Sequence, residues 1–559
     1  MALTLIAVVG VASLVAVAVF ADRIGLAAPL LLVVVGAGLG FIPGMPPIDV
    51  EPEWILAGVL PPLLYSSAVS MPATDFRRNF KLITGLAVLL VVVTTLGAGW
   101  LIHALLPGVG WPAAFAVGAV ISPTDAVAAT SVGRRLGLPS RLLTVLEGEG
   151  LVNDASALVL LRSATAAMAA AVSIWGVTLE FFYSVVVASA IGLVLGRINV
   201  RLRAWLGDPV LGTAVSLVVP FVAYWPAEEL KASGVLAVVV TGVVTGSLAP
   251  RYLAAADRLS EAINWRTLAF LLEGGIFLSM GLSLRALVDQ VEDGHLSVGE
   301  SVLYGLAATA LVIVIRILFT GPLMTMVRRD ERRAAGAGPR LEEIQAKLDA
   351  GAYDERMPRG KERIQTRLDM VAADVKFKLD QSLGWRGGLV LAWSGMRGAI
   401  TVAAAQTLPD TTPFRAQLIL IAFVVAAATL LLQGSTLPAV IAAVEVPPDD
   451  PARLREDYHD LLEELSASGQ TALDEYGGEY PAEVVDRVRA DSKIGPTPKD
   501  VDAFQDLREQ YQVLRLKVLH AQRHTLLADR ARGTHRSETL DRAQNYLDRE
   551  ELSLQRQIS

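Results

Sequence analysis

Long apolar runs separated by short polar segments fill the chain up to about residue 327. Each run has roughly the 20 residues that an α-helix needs to cross a hydrocarbon core about 30 Å thick. Because a bilayer offers no water to satisfy backbone groups, such runs must fold as helices. Of the 559 residues 53% are hydrophobic, and the charged 19% concentrate in later segments. The sequence therefore predicts an all-α, polytopic membrane protein.

The positive charges between these runs predict an orientation. We expect thirteen membrane spans, and Arg or Lys residues follow the third, fifth, seventh, ninth and eleventh of them. Because positive residues concentrate in cytoplasmic loops, the amino terminus is expected outside and the carboxyl terminus in the cytoplasm. The excess of Arg over Lys is typical of a GC-rich bacterium, in which this membrane is the plasma membrane. The predicted spans cover approximately residues 2–20, 26–42, 53–71, 82–106, 111–132, 140–164, 177–198, 209–226, 233–250, 263–284, 299–327, 385–408 and 413–443.

Two charged segments lie outside the predicted spans. Residues 328–384 form an insertion between spans eleven and twelve, and residues 341–348 within it have the apolar spacing of a helix. Residues 446–559 follow the membrane domain of residues 1–445 and show the same spacing. Both segments are therefore expected to be helical and cytosolic. The tail is interpreted either as a solvated appendage or as a regulatory or self-associating domain.

The sequence lacks the elements that indicate a cofactor. There is no cysteine, which excludes disulfides and thiolate metal sites, and the six histidines form no metal-binding motif. No glycine-rich phosphate-binding loop is found either. We therefore expect no cofactor, no enzymatic activity and no nucleic-acid partner.

Three carboxylates, Glu147, Glu149 and Asp154, lie within eight positions of the sixth predicted span. A charged side chain at the centre of a bilayer costs about 3 kcal/mol on insertion scales, so these acids need partners or a function. At about 100° per residue, Glu149 shares one helix face with Asn153, and Glu147 shares another with Asp154. The acids are therefore expected to differ in role.

Two predicted spans are interrupted near their midpoints. Residues 122–125 (SPTD) place a proline and Asp125 inside span five, and residues 395–398 (GMRG) bracket Arg397 with glycines in span twelve. The interruptions lie seven spans apart, which predicts an inverted repeat whose two broken helices cross at the midplane. Asp125 and Arg397 are expected to neutralise the helix-dipole ends at the crossing.

The two faces of span six predict a division of labour. Glu149 requires a fixed cation and the buried Arg316 requires an anion, so we predict a structural ion pair between them. Asp154 faces away from this pair. Because burial favours the neutral form of a carboxyl group, Asp154 can hold either a proton or a small cation such as Na⁺. Thr124, beside the interruption of span five, could supply oxygen ligands. The alternative is that Asp154 is another structural acid.

Two further acids are candidates for the ion path. Glu147, on the face of Asp154 and closer to the cytoplasm, is expected to line the inward path. Glu273 lies in the middle of span ten, where it either lines the cavity or neutralises Arg397. The residues alone leave both roles open for Glu273.

Four motifs together resemble the monovalent cation:proton antiporter-1 family of sodium/proton exchangers. The resemblance covers residues 1–445 and implies a thirteen-span homodimer with core and dimerisation domains and elevator-like alternating access. It also implies an ion-binding site of Asp154, Asn153, Thr124 and Asp125. The Asn153-Asp154 order implies electroneutral exchange, whereas Ser66 stands where some members have an acid, which leaves the cation preference open. The motifs are residues 61–65 (PPLLY), 122–128 (SPTDAVA), 149–155 (EGLVNDA) and 395–399 (GMRGA).

The expected function is electroneutral exchange of Na⁺, or of Li⁺ or K⁺, for H⁺ within a lipid membrane. The main alternative is a non-transporting ion or pH sensor that signals through its tail, although the tail contains no recognisable catalytic motif. An intramembrane aspartyl protease using Asp125 and Asp154 is disfavoured because its Gly-x-Gly-Asp element is missing. A channel is disfavoured because nothing resembles a selectivity filter.

Overall fold

The computed structural model describes residues 2–24, 28–42, 51–169, 174–292, 297–349, 358–491 and 508–555, which form helices and no strands. The predicted all-α fold is confirmed. Short π-helical segments, Trp54–Val59 and Gly85–Leu89, precede α3 and α5. The helices are α1 (Ala2–Ile24), α2 (Ala28–Gly40), α3 (Leu60–Ser70), α4 (Ala73–Thr84), α5 (Leu90–Leu105), α6 (Trp111–Ile121), α7 (Ala126–Arg135), α8 (Ser140–Ala169), α9 (Ile174–Leu206), α10 (Pro209–Glu229), α11 (Gly234–Tyr252), α12 (Ala255–Leu282), α13 (Leu284–Glu292), α14 (Val298–Ala335), α15 (Gly338–Asp349), α16 (Pro358–Asp380), α17 (Gly384–Trp393), α18 (Ala399–Gln406), α19 (Arg415–Val444), α20 (Pro451–Tyr476), α21 (Ala482–Asp491), α22 (Arg508–Arg532) and α23 (Ser537–Gln555).

Most of these helices are apolar enough to lie in a membrane. Three shorter apolar helices accompany the long ones, and α8 and the interrupted α17–α18 complete the order expected from the sequence. The exact count of thirteen spans stays a prediction. In the described part of the chain, eight helical segments are long and apolar enough to cross a bilayer: Ala73–Leu105, Trp111–Arg135, Thr178–Leu206, Pro209–Glu229, Gly234–Tyr252, Ala255–Glu292, Val298–Ala335 and Arg415–Val444.

Small residues bring the membrane helices into close contact, as is usual where packing rather than water drives association. A Cβ atom on Gly118 of α6 would lie 2.4 Å from the carbonyl oxygen of Thr95 in α5. A Cβ atom on Gly281 of α12 would lie 2.2 Å from the carbonyl oxygen of Val33 in α2. These helix pairs therefore approach backbone to backbone.

Gly118→Ala is expected to lower the melting temperature of the detergent-purified protein, because α5 and α6 must separate to admit the methyl group. Overpacking of this kind costs about 1–3 kcal/mol, which outweighs the gain in helix propensity. Gly38→Ala is the matched control, since a Cβ at Gly38 in α2 meets nothing within 4 Å. Equal melting temperatures for the two variants would contradict the close approach of α5 and α6.

The predicted insertion begins inside a helix. α14 continues to Ala335 without a break, eight residues beyond the end expected for span eleven. The helix expected at residues 341–348 lies within α15, and residues 350–357 fall outside the described residues. α16 packs back on the membrane helices, where Arg78 of α4 donates from Nε to Asp374 at 2.7 Å. The insertion is therefore attached to α4. The end of the molecule at which α16 meets α4 is called the tail end.

The carboxyl-terminal helices α20–α23 pack around their own apolar clusters, in which Leu465, Leu526 and Leu547 are almost completely buried. They also contact the membrane helices. Arg258 at the start of α12 donates from Nε to Asp548 of α23 at 3.0 Å. The amide nitrogen of Ser140 donates to Asp449 just before α20 at 2.9 Å. The tail is therefore a helical unit docked on the tail end of the membrane helices.

Candidate ion-binding site

The two interrupted helices meet at their breaks. Residues 122–125 separate α6 from α7, and residues 394–398 separate α17 from α18. The amide nitrogen of Asp125 donates to the carbonyl oxygen of Met396 at 2.7 Å. A Cβ on Gly398 would lie 2.7 Å from Asp125 Oδ2, so only glycine admits this close approach without a shift. The expected crossing of broken helices is therefore what the structure contains.

A charged side chain lies at two of the four half-helix ends. Asp125 caps the amino end of α7 by accepting a 2.8 Å hydrogen bond from the Val127 amide nitrogen. Arg397 donates from Nε to the carbonyl oxygen of Ile121, the last residue of α6, at 3.1 Å, and from Nη1 to Gly395. A carboxylate at an amino end and a guanidinium at a carboxyl end both oppose the helix dipole. The positions of Asp125 and Arg397 fit the predicted compensation.

Glu149 of α8 and Arg316 of α14 form a buried, bidentate ion pair. Arg316 Nη1 lies 2.5 Å from Glu149 Oε1 and Nη2 lies 2.9 Å from Oε2. Their side chains are 2% and 0% exposed, so solvent does not screen the pair. Arg316 Nε also donates to the carbonyl oxygen of Leu391 in α17 at 3.0 Å. The pair therefore joins α8, α14 and the second broken helix.

Thr124 connects this pair to Asn153. The Thr124 hydroxyl donates to Glu149 Oε1 at 2.8 Å and accepts from Asn153 Nδ2 at 2.9 Å. Asn153 Nδ2 also donates to the Thr124 carbonyl oxygen at 3.0 Å. The hydroxyl predicted to coordinate a cation is therefore engaged within the protein. Asn153 acts on Glu149 through Thr124, and its amide oxygen has no hydrogen-bond partner among the described residues.

Asp154 faces a cavity of about 270 Å³ between α3, α7, α8, α12 and α18. Asp154 is 8% exposed and, within the part of the chain that the structure describes, its carboxylate makes no hydrogen bond and no ion pair. Asp125, Thr124 and Glu273 also line this cavity, whereas Glu149 and Asn153 do not. Glu273 therefore lies where the first of its two predicted roles would require, and Arg397 contacts backbone carbonyls instead.

The polar mouth of the cavity lies toward the tail end. Glu147 lines it and forms an ion pair with Arg134, the penultimate residue of α7. Ser67 and Ser70 of α3 line the cavity, whereas the predicted candidate Ser66 donates to the Leu63 carbonyl oxygen of its own helix at 2.8 Å. Ser66 is therefore not among the residues that line the cavity.

Comparison with known proteins identifies the family. The family model described as "Sodium/hydrogen exchanger, transmembrane" matches residues 9–443. The chain belongs to the sodium/hydrogen exchanger family. The predicted resemblance is thereby confirmed, as are cation/proton exchange at the level of the family and the expectation that the chain is not an enzyme.

Individual relatives of this exchanger agree with the family model. An uncharacterized Na⁺/H⁺ exchanger of Mycobacterium tuberculosis is 31% identical over 474 residues, covering 83% of this chain and 78% of the relative. A sodium, potassium, lithium and rubidium/H⁺ antiporter of Bacillus pumilus is 28% identical, covering 73% of this chain and 57% of the relative. The sodium proton antiporter MjNhaP1 from Methanocaldococcus jannaschii superimposes with a TM-score of 0.54 at 16% identity, covering 79% of this exchanger and 99% of that structure. This last likeness shows the fold.

The exchanger contains a second buried cluster of charged residues, which the sequence did not predict. The predicted span seven ended near residue 198, which left Arg203 in the following loop, but α9 continues through Arg203 and its side chain is 0% exposed. Its guanidinium makes two 2.9 Å hydrogen bonds with Glu261 of α12, and Glu261 accepts another from Ser216 of α10 at 2.8 Å. No local sequence signal links these residues, because they lie on three different helices.

Proposed function

We propose that this exchanger binds either a monovalent cation or a proton on Asp154 and exchanges one for the other. The observation that carries the proposal is the contrast between two acids of α8. Glu149 is fully paired with Arg316 and Thr124, whereas the Asp154 carboxylate faces the cavity without a described partner. An unpaired carboxylate in an apolar environment favours binding of a positive ion.

Exclusive occupancy of one carboxylate is sufficient for exchange. A proton on Asp154 removes the negative charge that holds a cation, and a bound cation occupies the oxygens that a proton would need. Neighbouring cavity groups support a hard cation, because Asp125 and Glu273 add carboxylate oxygens and the Thr124 side chain lies alongside. We propose Na⁺ as the principal cation, with K⁺ and Li⁺ as competitors, since carboxylate oxygens accept all three.

The cavity supports an inward-open arrangement of the proposed exchanger. Its mouth at Arg134 and Glu147 lies near Ser140, which contacts the tail. A separate cavity of about 340 Å³, lined by Glu51, Glu53 and Asp410 among others, lies toward the opposite end. Between the two cavities, Ile55, Ile276 and Val402 line only a small pocket. Alternating access would then require these apolar side chains to separate.

The surroundings of the exchanger complete the proposal. We place it in the plasma membrane with the amino terminus outside and the tail, residues 446–559, in the cytoplasm, following the positive-inside bias of its loops. Large apolar side chains such as Trp205 of α9 and Trp225 of α10 are 80% and 69% exposed, which suits contact with lipid or with a second copy. A homodimer is the proposed assembly, and the tail is proposed to be regulatory.

Proteoliposomes containing the purified exchanger test the function directly. With a pH gradient imposed across the vesicles, added Na⁺ is expected to dissipate the gradient at a rate that saturates with cation concentration. Parallel measurements with Li⁺, K⁺ and choline rank the cations and provide the negative control. A non-transporting sensor would leave the gradient unchanged with every cation, and a protein ending at residue 445 shows whether exchange requires the tail.

Exchange is expected to be electroneutral, because a single carboxylate carries one positive charge in each direction. The adjacent Asn153 contributes an amide that is engaged with Thr124 rather than a second acid. Rates of Na⁺/H⁺ exchange are therefore expected to be equal at positive, zero and negative membrane potentials set with gradients of a permeant anion such as thiocyanate, in the absence of K⁺. Transfer of one net charge would gain or lose about 2.3 kcal/mol per 100 mV, so a rate that follows the potential would contradict the proposed stoichiometry.

A further inference from the structure

Three potential metal ligands converge at the turn between α22 and α23. They are Glu464 of α20, Asp529 of α22 and His535 of the turn, and one ligand atom from each lies within 4.8 Å of the other two. The three residues come from separate parts of the tail. The fold, rather than a sequence motif, therefore brings them together.

A fourth residue orients the histidine. His535 Nδ1 lies 3.1 Å from Asp457 Oδ1, and Asp457 Oδ2 accepts a 3.1 Å hydrogen bond from the Arg536 amide nitrogen. With Nδ1 donating to Asp457, the other ring nitrogen Nε2 faces Glu464 Oε2 at 3.5 Å. A carboxylate behind a histidine in this way fixes the tautomer and the ring orientation that metal ligation requires.

Asp529 supplies independent evidence for a cation. The residue is 1% exposed, and its Oδ2 atom is buried with no hydrogen-bond partner among the described residues. Its other oxygen accepts a 3.4 Å hydrogen bond from Arg532 Nη1. The Glu464 carboxylate adjoins it, with one oxygen of each residue within 4.8 Å of the other. Two neighbouring carboxylates repel each other unless a positive charge lies between them.

We propose that Glu464, Asp529 and His535 bind one divalent transition-metal ion, Zn²⁺ in the first instance. An imidazole nitrogen with two carboxylate oxygens is a ligand set that Zn²⁺ accepts, and Mn²⁺ fits its oxygen-rich part. Glu464 is about half exposed, with 53% of its side chain accessible, which gives the ion a path from solvent and leaves room for water ligands.

The position of this metal site connects it to the membrane helices. The Gly533 carbonyl oxygen, two residues before His535, accepts a 2.8 Å hydrogen bond from Arg78 of α4. The hydroxyl of Ser537, two residues after His535, lies 3.4 Å from that of Thr74. A metal ion that ties the turn to α20 and α22 would therefore fix the segment through which the tail contacts α4.

Zn²⁺ titration of the full-length, tag-free protein in detergent tests the proposal, after removal of metals with a chelator. Isothermal titration and melting temperature are the two readouts, with Mg²⁺ as the control ion. His520 and His524 lie one turn apart on the exposed face of α22 and offer an adventitious Zn²⁺ pair. All proteins in the test therefore carry His520→Gln and His524→Gln.

The expected result is one Zn²⁺ per chain and a higher melting temperature with Zn²⁺ but not with Mg²⁺. Glu464→Gln removes a ligand and is expected to weaken binding more than tenfold, on the order expected for a lost ligand. Asp457→Asn retains every ligand but changes the support of His535, and is expected to weaken binding by about 10–100-fold.

Glu463→Gln is the matched control for the metal site, because its exposed carboxylate adjoins Glu464 in sequence but pairs with His459. It is expected to bind Zn²⁺ as tightly as the parent. The proposal is overturned if the parent binds no Zn²⁺, or if Glu464→Gln and Asp457→Asn bind it as tightly as Glu463→Gln does. Both informative changes replace a carboxylate by an amide of nearly the same shape, so a folded tail can be checked by its unchanged circular dichroism.

Discussion

Asp154→Asn is expected to abolish cation/proton exchange in proteoliposomes while leaving the protein folded. The amide has nearly the shape of the carboxylate but cannot carry the negative charge that a cation or proton neutralises. Because Asp154 has no described partner, its replacement breaks no ion pair and leaves no charge uncompensated. The melting temperature in detergent is therefore expected to stay the same or to rise, which separates loss of exchange from loss of structure.

Glu147→Gln is the matched control for Asp154→Asn, since it makes the same carboxylate-to-amide change on the same helix and in the same cavity. Glu147 pairs with Arg134 at the mouth of the cavity, and its side chain is 25% exposed. Its replacement is expected to raise the cation concentration needed for half-maximal exchange and to leave the maximal rate largely intact. Exchange by Asp154→Asn at the rate of the unaltered protein would show that another carboxylate binds the ion.

The second large effect is expected from the ion pair beneath the cavity. Removing one partner, as in Arg316→Met, leaves the Glu149 carboxylate buried without its cation, which costs about 3–5 kcal/mol. We expect a strongly lowered melting temperature and poor yield of folded protein. Glu149→Gln is expected to have a similar effect. The buried Arg316 guanidinium then faces a neutral acceptor, and its positive charge is left uncompensated.

The double variant Glu149→Met and Arg316→Met distinguishes an ion pair from two independent structural roles. With both charges removed, no buried charge remains unpaired, and stability is expected to recover relative to Arg316→Met alone. Thr124 loses its acceptor in the double variant, so recovery is expected to be partial. Additive losses in Glu149→Met, Arg316→Met and the double variant would contradict direct pairing.

The sequence predicted best those features that follow from the cost of burying charge. Glu149 and Arg316 each needed a partner in an apolar environment, and the structure places them against each other. The breaks at residues 122–125 and 394–398 followed from proline and glycine chemistry within helices. Asp154 could be separated from Glu149 by helical periodicity alone, because both lie in one uninterrupted helix.

Features that depend on tertiary packing could not be read from the sequence. Ser66 was named as a candidate from the family resemblance, but Ser67 and Ser70 line the cavity instead, and the sequence alone does not show which side of α3 faces it. Arg203 lies beyond the predicted end of span seven and was therefore expected in a loop, whereas in the fold it pairs with Glu261. The surroundings of Asp529 and His535 depend on the packing of α20 against α22, which no local sequence pattern indicates.

The hydrogen bonds around Thr124 have a consequence for leakage. Asn153, Thr124 and Arg316 all direct their donors toward Glu149, directly or through one hydroxyl, so that this acid is fixed in its ion pair with Arg316. Of the two buried acids of α8, Glu149 is thus paired within the protein, whereas the charge on Asp154 is cancelled only by a bound ion. An empty carrier would be the more highly charged species in an apolar environment. The arrangement that lets Asp154 bind either ion therefore also disfavours the change between inward and outward access while Asp154 is unoccupied. This is the condition for exchange without slippage.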